Sequence, residues 1–204
     1  MARYGMVFDL KRCIGCNACV IGCKQENSLP DGMFFTRTLS EEYGVYPAVN
    51  RVYIPTLCNQ CEDAPCEKVC PSGATYTRDD GIVMVNADIC IGCSSCAVAC
   101  PYDQRSQVDK DLLSHGLFGT DELTPFEEDG YKRFVPGTIV KCDFCSERVD
   151  AGLDPACVVT CPTDARIFGD LDDPDSKAST LIRERDGKQP MPELKTKPKV
   201  YYVN

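Results

Sequence analysis

Residues 90–101 read CIGCSSCAVACP, four thiols in eleven positions closed by a proline. The same spacing stands near the start of the chain, where residues 13–23 read CIGCNACVIGC. Both runs are Cys-x2-Cys-x2-Cys-x3-Cys and share most of their small and apolar letters, which points to internal duplication. Two further groups complete the set. Cys58, Cys61, Cys66 and Cys70 are separated by two, four and three residues, with Pro71 behind them. Cys142, Cys145, Cys157 and Cys161 are separated by two, eleven and three, with Pro162 behind them. All sixteen cysteines among the 204 residues fall into these four groups.

Thiols this dense mean a disulfide framework or metal ligation. Pairs two residues apart seldom staple distant chain, so disulfides make poor use of the pattern. Structural zinc would assemble its four-thiol sites from two separated Cys-x2-Cys pairs. Groups one to three instead place three thiols within seven to nine residues and a fourth after a three-residue gap. That is the bacterial iron–sulfur run, whose last cysteine ligates the other cluster in two-cluster ferredoxins. Sixteen thiols at four per cluster give four [4Fe–4S] clusters with no thiol left over.

The spacing also predicts which groups pair. Groups two and three are nineteen residues apart. The turn signal Arg78-Asp-Asp-Gly81 lies between them, separating Ala74-Thr-Tyr76 from Ile82-Val-Met-Val85. They form an inner ferredoxin-like module over residues 51–105. There Cys58, Cys61 and Cys66 share a cluster with Cys100, and Cys90, Cys93 and Cys96 share one with Cys70. Groups one and four form an outer module, residues 1–25 plus 136–170, into which the inner one is inserted. There Cys13, Cys16 and Cys19 pair with Cys161, and Cys142, Cys145 and Cys157 with Cys23. Group one departs from the pattern, with Lys24 in place of the proline, and group four stretches its middle gap.

The expected fold is α+β: two such modules, loop-rich excursions and a C-terminal tail. Strand-like runs at Tyr4–Leu10, Arg51–Thr56, Ile82–Asn86 and Gly137–Val140 precede the cysteine groups. The residues between the last two cysteines of each group suit the first turn of a short helix. Residues 26–50 and 106–135 carry no cysteine and are expected to face partners, since long excursions in compact domains are usually functional. Asp173-Pro-Asp-Ser176 starts a helix running to about Arg185, stopped by Gly187, within a C-terminal segment 171–204.

Charge and hydropathy narrow the function. With 22 basic against 31 acidic residues and a net charge of -9, a nucleic-acid surface is not expected. No apolar run approaches the roughly eighteen residues of a membrane span. The opening MARYGMVFDLKRC has neither a signal-peptide apolar region nor a twin-arginine pair. The expectation is a cytoplasmic location, or a periplasmic one reached by co-export with a twin-arginine partner. Four thiolates per cluster leave no open iron, and His115 is the single histidine with no sequence partner. The sequence therefore describes a conductor of electrons and no catalytic residues. Lys11, Arg12, Lys24, Lys68, Lys141 and Arg148 flank the cysteine groups and are expected to tune cluster potentials.

The sequence resembles the four-cluster iron–sulfur subunits of molybdopterin oxidoreductases of the dimethyl sulfoxide reductase type. These include subunits of polysulfide, thiosulfate, tetrathionate and arsenate reductases. The resemblance spans nearly the whole chain: YGMVFDLKRCIGCNACVIGCK, YIPTLCNQCEDAPCEKVCPSGA, DGIV, CIGCSSCAVACPY, KCDFC, PACVVTCPTDARIFGDLDDPDS and TKPKVYYVN. It implies a wire that docks at one end on a catalytic subunit with a molybdenum or tungsten pterin cofactor. The other end meets a membrane quinol subunit or a soluble carrier, and the polar C-terminus implies that membrane contact goes through a partner. Two alternatives share these features: the iron–sulfur subunit of a hydrogenase or formate dehydrogenase, and a free-standing polyferredoxin.

Overall fold

The computed structural model describes residues 2–116 and 122–204. Part of the second excursion, 117–121, lies outside the described residues. Short helices and strands alternate along the chain. They are β1 (Tyr4–Asp9), α1 (Ala18–Glu26), β2 (Thr36–Val45), β3 (Ala48–Leu57), α2 (Pro65–Lys68), β4 (Thr75–Thr77), β5 (Val83–Val85) and α3 (Ser95–Val98). There follow β6 (Ser106–Gln107), α4 (Pro125–Gly130), β7 (Ile139–Val140), α5 (Ser146–Asp150), α6 (Ala156–Val159), β8 (Arg166–Asp170), α7 (Lys177–Glu184) and β9 (Val200–Val203).

The organising element is β1. It pairs antiparallel with β8 and parallel with β9, so strands preceding group one and following group four share one sheet. Met6, Val7 and Phe8 are wholly buried there. Three consecutive buried residues mean that both faces of the strand are covered, which is why the run reads as continuous apolar letters without alternation. One face packs on α7 through Val7, Ala178 and Val203. The other faces the cysteine-rich core around Phe8, Cys19, Cys23, Cys142 and Cys157. Gly5 allows this packing, since a side chain there would meet Leu171 and the Lys199 carbonyl.

The expected hairpin between groups two and three is present as β4–β5, antiparallel in register Thr75↔Val85. The helix expected from Ser176 is α7, with the Ser176 hydroxyl accepting from Ser179 N–H at its start. One expectation is corrected. The excursion 26–50 is not all loop: β2 and β3, the latter containing the expected strand Arg51–Thr56, form a ten-residue antiparallel ribbon from Thr36↔Leu57 to Val45↔Ala48. Cross-strand pairs Leu39↔Ile54 and Glu42↔Arg51 hold it, the latter an ion pair. The C-terminal segment ends in β9, the third strand of the β1 sheet, and Lys199 N–H donates to the Asn59 carbonyl at 2.9 Å.

Candidate metal centres

Each cysteine group folds into the same local shape, and the sequence shows why. In all four groups the residue before the second cysteine has a positive φ: Gly15 (69°), Gln60 (46°), Gly92 (65°) and Phe144 (59°). A left-handed residue inside an otherwise right-handed turn points successive N–H groups into one concavity, the backbone nest that suits anionic sulfur. Glycine adopts that conformation at no cost. Gln60 is held in it by burial and by bonds to the Cys142 carbonyl (2.7 Å) and from Val83 N–H (2.7 Å). Phe144 is held by an edge-on contact with Phe168 at 5.4 Å. The Asp9 carboxylate receives Lys11 and Arg12 N–H at 3.1 and 3.3 Å and the fork of Arg185, so the loop entering group one is also fixed.

The third cysteine of each group lies in a helix: Cys19 in α1, Cys66 in α2, Cys96 in α3 and Cys157 in α6. The fourth follows. Cys23 lies one turn on within α1, and Cys70, Cys100 and Cys161 each donate N–H into the last turn before them, to Glu67, Ala97 and Val158. Helix α1 packs on α6, and α2 on α3. Gly22 permits the first contact, because a Cβ there would lie 2.6 Å from the Thr160 side chain.

These packings bring together thiols that are distant in sequence. Cys13, Cys16, Cys19 and Cys161 line one cavity. Cys23 lies within electrostatic reach of Cys157 and Cys145, and Cys142 within reach of Cys23 and Cys157. Cys61 has Cys58, Cys66 and Cys100 as neighbours. Cys93 has Cys70 as a neighbour, while Cys90 and Cys96 pack in the apolar cluster that contains Cys61 and Cys66. Electrostatic reach also runs between these sets: Cys157 with Cys19, and Cys142 with Cys58.

The donor chemistry fits a [4Fe–4S] group. Burial pushes the thiol of Cys61 up to about 12 and that of Cys145 up to about 11. Such thiols stay protonated unless iron displaces the proton, so cluster binding releases protons. At Cys70 and Cys161 burial works in the same direction, but N–H donors overcome it. Thr75 N–H reaches Cys70 Sγ at 3.4 Å, Ala165 N–H reaches Cys161 Sγ at 3.3 Å, and both thiols shift downward.

Of the six cations expected beside the clusters, most are engaged elsewhere. Lys68 pairs with Asp63, Arg148 with Glu26, and Lys24 donates to the Pro30 and Met33 carbonyls. Lys141 is buried, donates to the Val83 and Cys142 carbonyls, and as expected lies within electrostatic reach of a cysteine, Cys66. Three buried cations were missed, Arg105, Arg166 and Lys199. The signal of the two arginines was the repeated Cys-Pro-x-Asp-x-Arg in CPYDQR and CPTDAR.

Gly92→Ala is an expected lesion of this scaffold. Alanine would hold φ near +65° at a strain on the order of 1–2 kcal/mol, and its Cβ would overlap the Gly137 carbonyl oxygen. The expected result is iron loss confined to the Cys90–Cys96 loop, read by iron and sulfide analysis. Full iron content in this variant would refute the need for glycine there.

The model of the 4Fe-4S dicluster domain family matches residues 49–115 and 122–171. A Halobacterium salinarum protein assigned as a dimethyl sulfoxide reductase iron-sulfur subunit is 47% identical, over all of this sequence and 80% of its own length. The arsenate respiratory reductase iron-sulfur subunit ArrB of Shewanella sp. (strain ANA-3) is 42% identical over 98% of this sequence and 96% of its own. The polysulfide reductase B polypeptide of Wolinella succinogenes is 37% identical over 98% and 94%. With its repeated thiol loops and its mixture of short helices and strands, this protein belongs to the 4Fe-4S dicluster family, among the iron–sulfur subunits of dimethyl sulfoxide reductase-type oxidoreductases.

Proposed function

We propose that this protein relays electrons between a catalytic subunit carrying a molybdenum or tungsten pterin cofactor and a quinol subunit or other redox carrier. The observation that carries the reading is that thiols distant in sequence are neighbours: Cys161 with Cys13, Cys16 and Cys19, Cys23 with Cys145 and Cys157, Cys100 with Cys61, and Cys70 with Cys93. The protein is an electron-transfer subunit with four [4Fe–4S] clusters and no catalytic role of its own. Bound in such a site, a cluster supplies one-electron transfer.

The ligand sets of this reading are crossed. Cys13, Cys16, Cys19 and Cys161 hold one cluster, and Cys142, Cys145, Cys157 and Cys23 the next. Cys58, Cys61, Cys66 and Cys100 hold the third, and Cys90, Cys93, Cys96 and Cys70 the fourth. Support comes from the thiols lining a common cavity and from the neighbours of Cys23, Cys61 and Cys93. The electrostatic reach of Cys157 to Cys19 and of Cys142 to Cys58 supports that order along the wire. It also supports an outer module of residues 1–25 and 136–170 around an inner one of 51–105.

Both ends of this order reach solvent. Cys16 and Cys93 are the exposed thiols among the sixteen. Exposed Ile14 and Ile21 belong to the same cysteine group as the first, and exposed Ile91 and Val98 to that of the second. Such apolar rims suit partner contact. The ribbon tip, with Val45 and Tyr46 more than four-fifths exposed, belongs to the same docking role for residues 26–50. Residues 106–135 serve as the other partner-facing excursion. Among the described residues no helix is long and apolar enough to cross a membrane. The compartment then follows the partner, by folded co-export or by retention in the cytoplasm.

Native purification tests the reading. The expected species is a complex larger than 22.5 kDa that co-purifies with molybdenum or tungsten and holds about four irons per four cysteines. A lone monomer would leave the free polyferredoxin as the better reading. A nickel-containing partner would favour the hydrogenase alternative.

A further inference from the structure

Arg105 is 7% exposed and Arg166 3% exposed, and both are buried among the thiols. Each lies five residues after the closing cysteine of its group, in Cys100-Pro-Tyr-Asp-Gln-Arg105 and Cys161-Pro-Thr-Asp-Ala-Arg166. The two turns have the same shape. Asp103 and Asp164 both sit at φ 50°, donating N–H to the Cys100 and Cys161 carbonyls at 3.3 and 3.4 Å. The sequence repeat is thus a structural repeat that delivers one guanidinium to the interior of each module.

What the guanidinium meets there is equally repeated. Arg105 Nη1 donates to Thr75 Oγ1 at 3.0 Å, and Arg166 Nη2 donates to Thr36 Oγ1 at 2.9 Å. Thr75 itself stands five residues after Cys70, so in the inner module two equivalent closing turns meet as an arginine–threonine pair. In each arginine the other terminal nitrogen is fully buried and finds no partner: Nη2 of Arg105 and Nη1 of Arg166. A buried guanidinium N–H left unpaired is costly, and a buried unpaired charge more so. The charges around these cations are sulfurs. Arg105 is close to Cys66, Cys96 and Cys58, and Arg166 to Cys157, Cys19 and Cys161.

Those neighbours divide between clusters. In the proposed ligand sets Cys58 and Cys66 belong to one cluster of the inner pair and Cys96 to the other. Likewise Cys157 belongs to one cluster of the outer pair, and Cys19 and Cys161 to the other. Each arginine therefore stands between the two clusters of its own module. We propose that Arg105 and Arg166 are paired positioning cations, each donating its orphaned N–H toward cluster sulfur and setting the potentials of the two clusters beside it.

The inference rests on the four-cluster reading. An oxidised four-thiolate cluster carries about -2, and reduction adds a further negative charge. A fixed positive charge in a poorly screened interior favours that addition at both neighbours. Phe8, whose ring lies 4.9 Å from the Arg166 guanidinium, keeps that side of the outer pair dry.

The test is an EPR-monitored redox titration of the purified complex, wild type and with Arg105→Met, Arg105→Lys, Arg166→Met and Arg166→Lys. Wild-type iron content and its four signals are read first, and their absence would defeat the four-cluster reading itself. Arg105→Met is expected to make both inner clusters about tenfold harder to reduce, a fall of about 59 mV for a one-electron couple. The outer pair should stay in place. Arg166→Met should do the reverse, and each lysine variant should recover most of the shift. Iron loss in a methionine variant that its lysine counterpart avoids also supports the proposal. Unchanged potentials at full iron content would overturn it. So would equal shifts in all four clusters, equal shifts for Lys and Met, or equal iron loss in both.

Discussion

Cys100→Ala is expected to abolish the cluster held by Cys58, Cys61 and Cys66, about four irons of about sixteen, and to spare the one held by its own loop. The local reading of CIGCSSCAVACP predicts the opposite, since four thiols in eleven residues look like one site. Helix geometry separates the two. Cys96 lies within α3, while Cys100 follows its last turn, with its N–H bonded back to the Ala97 carbonyl. Helix α3 packs on α2, and this contact carries Cys100 to the neighbours of Cys61. The symmetry of the fold provides a control. Cys161→Ala should remove the cluster of Cys13, Cys16 and Cys19, whose thiols line the cavity that Cys161 closes. Low-temperature EPR of the reduced protein, read beside iron analysis, reports both. Loss of the Cys90–Cys93–Cys96 signal in Cys100→Ala would reverse the crossed pairing.

Much of this arrangement was legible in the letters because iron coordination restricts spacing tightly. The Cys-x2-Cys loops, the β4–β5 turn at Arg78–Gly81 and the helix after Ser176 each rest on short-range chemistry that a few residues announce. In the β2–β3 ribbon, Arg51–Thr56 announced the second strand, but the first did not announce itself. TRTLSEEYGV lacks the alternation of a half-buried strand, because the ribbon stands away from the core and most of its residues are exposed. Its stability comes from cross-strand pairs, which are long-range information. The place of VYYV was hidden for a related reason. A parallel partner for β1 can come from anywhere in the sequence, and four apolar letters at positions 200–203 do not say which strand they join.

Arg105 and Arg166 show a third kind of illegibility. Arginine is ordinarily a surface residue, and the cysteine spacing drew attention to the nearest cations instead. The signal was present as a second repeat, Cys-Pro-x-Asp-x-Arg, overlapping the first. Only the fold shows that the repeat ends inward, where each guanidinium lies within reach of thiols from two groups.

Removing residues 199–204 is expected to cost the protein its thermal stability and then its clusters. The segment bonds to three parts of the molecule at once. Val200 and Val203 are buried in the β1 sheet, where Met6 N–H donates to the Lys199 carbonyl at 2.9 Å. Lys199 N–H donates to Asn59, inside the Cys58–Cys61 loop, and its ammonium donates to the Gly81 carbonyl in the inner hairpin. Tyr202 packs tilted against Phe8, with ring centres 5.3 Å apart, and donates its hydroxyl to the Pro55 carbonyl of the ribbon at 2.8 Å. Two buried valines at about 1.5–3 kcal/mol each and several hydrogen bonds at about 1 kcal/mol each sum to more than about 5 kcal/mol. That is comparable to the whole stability of a typical domain. Because iron loss makes unfolding irreversible, the proper measure is a rate: the half-life of the visible iron–sulfur absorbance at elevated temperature. The truncated protein should bleach at least tenfold faster than the full one, and Val200→Ala should fall between them. A truncated protein that keeps all its iron and the full-length half-life would show that β1 and the Cys58–Cys61 loop do not depend on this strand.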